Sequence, residues 1–116
     1  MHIPEALPSL NETMRQHWAV RKRNAERWGK MIVLARARAE IPSATGKRRV
    51  TIERHGKKAL DADNMCGGAK GFIDELRAFK LLVDDSPEFV DLVTVHVPLM
   101  KGEKPHTVVR LEEQNK

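Results

Sequence analysis

Two aspartates one residue apart, Asp61 and Asp63 in the run LDADN, are the first side chains here whose type and spacing suggest chemistry. Residues two apart in an extended segment point the same way. With Leu60 to Asn64 read as extended, both carboxylates share one face. A second acid pair, Asp84 and Asp85 in VDDSP, follows downstream, and Lys70 lies between the pairs. Clustered carboxylates hold hard divalent cations, which keep several of their waters. A cation held in this way neutralises a phosphodiester and makes water nucleophilic enough to hydrolyse it. A lysine beside such a phosphate stabilises the transition state or the departing oxygen. Taken singly, the same residues read as helix caps, turn formers and an exposed helix lysine. Their combination is what points to phosphodiester hydrolysis.

Other chemistries find less support. Cys66 is the only cysteine, so no internal disulfide forms and a reducing, cytoplasmic setting is expected. With no paired base, Cys66 reads as a small buried thiol rather than a nucleophile. His2, His17, His55, His96 and His106 show none of the local spacings of zinc sites. Zinc is therefore not expected; the cation that the clustered carboxylates suit is Mg²⁺, with Mn²⁺ as a substitute. GGAKG is not a phosphate-binding Walker loop, because Gly71 rather than Ser or Thr follows Lys70. Tyrosine is absent and aromatic residues make up 4% of the chain, which argues against binding single strands by stacking.

The elements that must position these residues can be read from periodicity. At 116 residues, 41% hydrophobic and 32% charged, the chain suits one small soluble domain. No run approaches the length needed to cross a bilayer, so no membrane partner is expected. The opening MHIPEALPSLNETMRQ lacks a basic cap followed by an apolar run, and no secretory signal is expected from it. Residues 1–12 read as an N-terminal arm, irregular from Ile3 to Asn11 around Pro4 and Pro8. Met14, Trp18, Ala25, Trp28, Ile32, Ala35 and Ala39 recur at helical spacing. They predict one long amphipathic helix with Trp18 and Trp28 on its core face, stopped by Pro42 and Gly46. Arg49 to Arg54 alternates as a strand, and HGKK is a turn. A second helix is expected to start within Met65 to Gly71 and to present Phe72, Ile73, Leu76 and Phe79 on one face. Phe89 to Pro98 and Thr107 to Leu111 read as strands, joined by the short KGEKPH connection and expected to pair as a hairpin. The fold class is α/β, a small mixed sheet packed with helices.

Charge is unevenly placed. Residues 1–60 hold 14 Lys or Arg against 5 Asp or Glu, and residues 61–116 hold 7 against 11, within a net charge of +5. A basic half attracts polyanions, and acids inside a basic protein are costly without a bound cation. DNA together with a divalent metal satisfies both halves; an unliganded, solvated basic surface is the alternative. The candidate DNA contacts are Arg21, Arg23, Arg27, Lys47, Arg48, Arg49, Lys57 and Lys58.

The order of these pieces resembles the RusA-like endodeoxyribonucleases, Holliday junction resolvases of phages and prophages. The arm PSLNETMRQHW is similar to the family's Pro-Ser-x-Asn segment and basic helix. KKALDADN is similar to its basic turn and D-x-D-N motif, KGFIDELRAF to its lysine-bearing helix, and LLVDDSPEFVDL to its double aspartate before a strand. The resemblance spans most of residues 8–98. It implies that Asp61, Asp63 and Asp85 hold the metal and that Lys70 is the catalytic lysine. Asp74 sits four residues after Lys70, as in the family's KxxxD pattern. Three extra residues precede Lys70, and Gly67 and Gly68 are expected to let the backbone bend it into place. The resemblance further implies a homodimer making two symmetric nicks in a four-way junction or related branched DNA, leaving 5′-phosphate and 3′-hydroxyl ends. The basic residues would hold the arms by phosphate contacts that do not read sequence. Two other classes stay open: a dimer that binds branched DNA without cutting it, and a structural or regulatory phage protein with no DNA role.

Overall fold

The computed structural model describes residues 1–114. The elements in chain order are β1 (His2–Ile3), α1 (Leu10–Arg15), α2 (Trp18–Ala39), β2 (Arg48–Gly56), α3 (Ala62–Gly68), α4 (Lys70–Ala78), β3 (Val90–Pro98) and β4 (His106–Glu113). They make one four-stranded mixed sheet in the order β1-β4-β2-β3, with helices against one face. β2 runs parallel to β3 and antiparallel to β4. The expected α/β class and mixed sheet with packed helices are therefore observed, in a single domain.

Residues two apart along β2 share a face, and Arg48, Val50 and Ile52 are buried against the helices. Val109 of β4 and Ile3 of β1 extend this layer, and Trp28, Ile32, Phe72, Ile73, Leu76, Leu81 and Leu82 close over it. Trp28 meets Phe72 edge to face at 6.1 Å, a favoured aromatic geometry.

Several sequence expectations are corrected. The short β3–β4 connection does not make a hairpin: β2 lies between the two strands and pairs with both. Two strand spacings are about 10 Å, a distance that the connection over residues 99–105 spans. The parallel β2–β3 pair needs a crossover, and α3 and α4 supply it. The opening arm is not wholly irregular, since His2–Ile3 pairs with β4 and a helix begins at Leu10. Ser9 caps that helix in a reciprocal capping box with Glu12, which satisfies two otherwise unpaired N–H groups. The long helix is broken at Gln16 and His17, the latter capping α2 through Nδ1. Met14 therefore lies on a separate helix, while Trp18 keeps its helical spacing to Trp28 but stands at the first position of α2, ahead of Trp28, the first buried residue of that helix; the two are 73% and 64% exposed. Trp28, Ile32 and Ala35 remain core residues.

Arg48, a candidate DNA contact, is 2% exposed. Its guanidinium lies 2.7 Å from Glu113 Oε1 and donates to the Leu81 carbonyl at 3.0 Å and the Pro42 carbonyl at 2.9 Å. A buried cation is tolerated only when paired and hydrogen-bonded in this way, so Arg48 joins the last strand to the loops around it and is withdrawn from the DNA set. Arg48→Ala is expected to lower stability by about 3 kcal/mol, from lost charged hydrogen bonds and the space left behind. Arg48→Lys should recover little, since one ammonium does not reproduce the fork. Urea denaturation of the three proteins checks both statements.

Candidate active site

The acid pair sits at the start of a helix rather than in an extended segment. Asp61 is the N-cap of α3: Oδ1 accepts the Asn64 backbone N–H at 2.8 Å, and Oδ2 faces Asn64 Nδ2 at 3.3 Å. An aspartate cap satisfies one of the unpaired donors of the first turn, so the D-x-x-N spacing within DADN has a local structural cause. Asp63 lies within the first turn and is exposed.

On a helix, residues three, four and seven apart share a face. From Asp63 this face runs through Cys66, Gly67, Lys70 and Asp74, because Ala69 joins α3 to α4 with φ −83° and ψ −8°, close to helical values. The bonds from Ala69 N–H to Met65 and from Ile73 N–H to Ala69 keep the path helical across the joint. Cys66, Gly67, Lys70, Ile73 and Asp74 line a cleft of about 360 Å³, closed on the other side by Asp85 and Leu92. Asp63 stands one helical turn, roughly 5 Å of rise, before Cys66 and Gly67. Cys66 is half-buried rather than fully buried, and its Sγ lies 3.8 Å from Thr94 Oγ1 on β3.

The structure thus brings Lys70 and Asp85 to one cleft, with Asp63 on the same helical face and Asp61 engaged as the cap. Asp74 joins Lys70 there and was legible only as the family's KxxxD spacing. The two acids of the double aspartate differ. Asp84 is held below the usual carboxylate range, chiefly by the Asp85 backbone N–H and further by the Arg77 guanidinium 3.5 Å away. Asp85 is exposed and, among the described residues, makes no ion pair. Asp61, Asp63 and Asp85 do not form a closed three-acid cage: among the described residues, the one group of three whose ligand atoms all lie within 4.8 Å of one another is His55, Glu103 and His106.

A second cleft, of about 510 Å³, flanks the same ridge. Lys70, Asp74, Gly67 and Gly71 form one wall, and Met14, Trp18 and Arg21 the other. Of the remaining cations, Arg23, Lys47, Lys57 and Lys58 are exposed. Arg27 is engaged by Glu5 at 2.9 Å, and Arg49 by Asp91 at 2.9 Å. Lys57 and Lys58 follow the end of β2 and precede Asp61, whereas Lys47 and Arg49 lie at the start of that strand. The two groups are separated by roughly 25 Å at the strand rise.

Gly67 and Gly68 serve a close approach rather than a bend. A Cβ on Gly68 would lie 1.8 Å from the Pro8 carbonyl oxygen, and one on Gly67 2.8 Å from Leu10 Cδ1. The glycines let α3 press onto the arm. The arm is in turn tied to the sheet by Leu7 N–H to Thr107 Oγ1 at 3.2 Å and Arg54 Nε to the Leu7 carbonyl at 2.7 Å. No helix of the described residues is long and apolar enough to cross a membrane. Comparison with protein-family models, with curated proteins and with solved structures gives no match for this chain.

Gly68→Ala should force α3 off the arm and lower stability by roughly 1–3 kcal/mol. Gly46→Ala, where a Cβ meets nothing within 4 Å, should be neutral or slightly stabilising. Denaturation midpoints of the two variants, compared with the parent, check the contrast.

Proposed function

We propose that the chain is a metal-dependent endodeoxyribonuclease acting on branched DNA, of the RusA-like kind that its motif order resembles. The observation that carries this reading is the cleft shared by Lys70, Asp74 and Asp85, with Asp63 on the same helix face, one turn before the cleft's edge at Cys66 and Gly67. Exposed acids beside a lysine, in a chain of net charge +5, suit a phosphate substrate and a cation better than an apolar ligand.

The donor set fits Mg²⁺ or Mn²⁺. Mg²⁺ is commonly held by one or two carboxylates plus substrate phosphate rather than by an all-protein cage, and Asp85 and Asp63 are exposed carboxylates on that side of the fold. When bound, the cation supplies charge neutralisation and an activated water. Asp85 and Asp63 would hold it, while Asp61 fixes the start of the helix that carries Asp63. Lys70 would place its ammonium against the phosphate as charge builds in the transition state. Asp74, one turn beyond Lys70, would orient that ammonium.

Backbone contacts would come from Arg21, beside Lys70 and Asp74 in the second cleft, from Arg23 on the same helix, and from Lys57 and Lys58 before the acid motif. Trp18 and Met14 offer exposed apolar surface on that rim for an unstacked base at a branch point. A homodimer suits two symmetric cuts in a two-fold junction.

Lys70→Ala is expected to slow single-turnover cleavage of a saturated four-way junction by roughly a hundredfold or more, as for loss of one transition-state donor. Junction affinity should change far less, and Lys70→Arg should recover part of the rate. Turnover of Lys70→Ala at the parent rate would remove Lys70 from the site.

Affinity should also fall steeply with added salt, because phosphate contacts release counterions. Replacing Lys57 and Lys58 together by Ala should flatten the logarithmic slope by about two, near one unit per lost contact. Fluorescence anisotropy at a series of salt concentrations measures it, and an unchanged slope would place the DNA elsewhere.

A further inference from the structure

On the sheet face turned away from the helices, β2 and β4 bring together histidines that are distant in sequence. His55 and His106 are direct cross-strand partners, and their rings stack at 4.1 Å between centroids. Glu103, in the β3–β4 connection, reaches the same place, so that one ligand atom from each of His55, His106 and Glu103 lies within 4.8 Å of the others.

The hydrogen-bonding of this group is incomplete in a specific way. Both ring nitrogens of His55 are buried without a hydrogen-bond partner. Its Nε2 is 3.5 Å from Glu53 Oε1, beyond the distance of a good hydrogen bond, while Arg110 holds the other oxygen, Oε2. A neutral imidazole left in this state carries a desolvation cost, and a cation accepting its one lone pair would remove the acceptor's share of it. His106 Nδ1 lies 2.9 Å from the Lys104 carbonyl. A proton on Nδ1 donated to that carbonyl leaves the Nε2 lone pair free, the arrangement by which backbone carbonyls orient metal-binding histidines. Glu103 Oε1 accepts the Met100 N–H at 2.7 Å and shapes the turn, leaving Oε2 free.

We propose that His55, His106 and Glu103 form a binding site for a borderline divalent cation of the Zn²⁺ class, which pins the β3–β4 connection onto the sheet. Two imidazoles and one carboxylate match the preferences of Zn²⁺ and its neighbours. Mg²⁺ takes oxygen ligands and is not expected here. Three protein ligands leave the fourth tetrahedral position to water. The site is on the opposite face of the sheet from Lys70 and does not depend on the nuclease reading.

The test is a thermal-shift titration of the full chain, stripped with EDTA and dialysed, with Zn²⁺ and separately with Mg²⁺. Zn²⁺ at a hundredfold excess over its Kd should raise Tm by several degrees, roughly 4 °C or more, and Mg²⁺ should not reproduce the shift. Glu103→Gln keeps an acceptor for the Met100 N–H, so the turn survives while the anionic ligand is lost. Glu103→Gln and His106→Gln should each weaken Zn²⁺ binding at least tenfold, and Asp63→Asn with Asp85→Asn should leave it unchanged. Should His106→Gln fail to fold, Glu103→Gln decides alone. The absence of a Zn²⁺ shift in the parent, a shift undiminished in Glu103→Gln, or one lost in the double aspartate variant would each overturn the site.

Discussion

The constraint on which the rest of the structure depends is the approach of α3 to the arm at Gly68, where a single added carbon would overlap the Pro8 carbonyl. Close packing leaves no room to absorb such an overlap, so α3 has one seat. The arm below it is fixed by Thr107, whose Oγ1 accepts from Leu7 and donates to the Glu5 carbonyl, and by Arg54. Glu5 is fixed in turn by Arg27 and Trp28 of α2. Sheet, arm and long helix therefore jointly set the direction of the helix face that carries Asp63, Lys70 and Asp74. Asp85 meets that face across a cleft whose other wall begins with Leu92 of β3.

This arrangement separates acids that build the fold from acids left open to a ligand. Asp61 caps α3, Asp84 is held by a backbone N–H and Arg77, and Asp91 pairs with Arg49. Asp63 and Asp85 are the exposed acids outside these pairings within the two motifs. The cations divide similarly. Arg48 is consumed by the fold and Arg27 by Glu5, while Arg21, Lys57 and Lys58 stay exposed. The positive surface near the cleft is therefore smaller than the count of basic residues suggests, and it is concentrated on the first turns of α2 and the turn before α3.

Much of the fold was legible in the sequence, and the parts that were not have physical reasons. The strand over Arg49 to Arg54, the strand over Phe89 to Pro98 and the helix through Phe72 and Leu76 follow from their own periods. Their pairing does not, because a short connection is compatible with a third strand between two others. Helical spacing carries on unbroken in sequence across Gln16 and His17, while the backbone leaves the helix there, which separates Met14 from the core face; Trp18 keeps that spacing but stands at the exposed start of α2, ahead of Trp28, its first buried residue. The D-x-D pair was legible as two neighbouring acids but not as geometry: strand spacing and the helix start predict different faces, and the Asp61–Asn64 cap decides for the helix. The His55–His106 pair could be found only once the β2–β4 register was known, since the two residues are far apart in sequence.

The central claim is that the face carrying Asp63 and Lys70, with Asp85 opposite, hydrolyses DNA with the help of a divalent cation. The most direct test is end-mapped cleavage of a synthetic four-way junction by the parent chain and by Asp63→Asn, each with Mg²⁺ and with EDTA. The account predicts paired, symmetric nicks with 5′-phosphate ends for the parent in Mg²⁺ alone. Asp63→Asn should not cut in either condition, and should bind the junction at least as tightly as the parent, because a carboxylate without its cation repels phosphate. Cutting by Asp63→Asn at the parent rate, or a parent chain that binds the junction but never cuts it in Mg²⁺, would contradict the account.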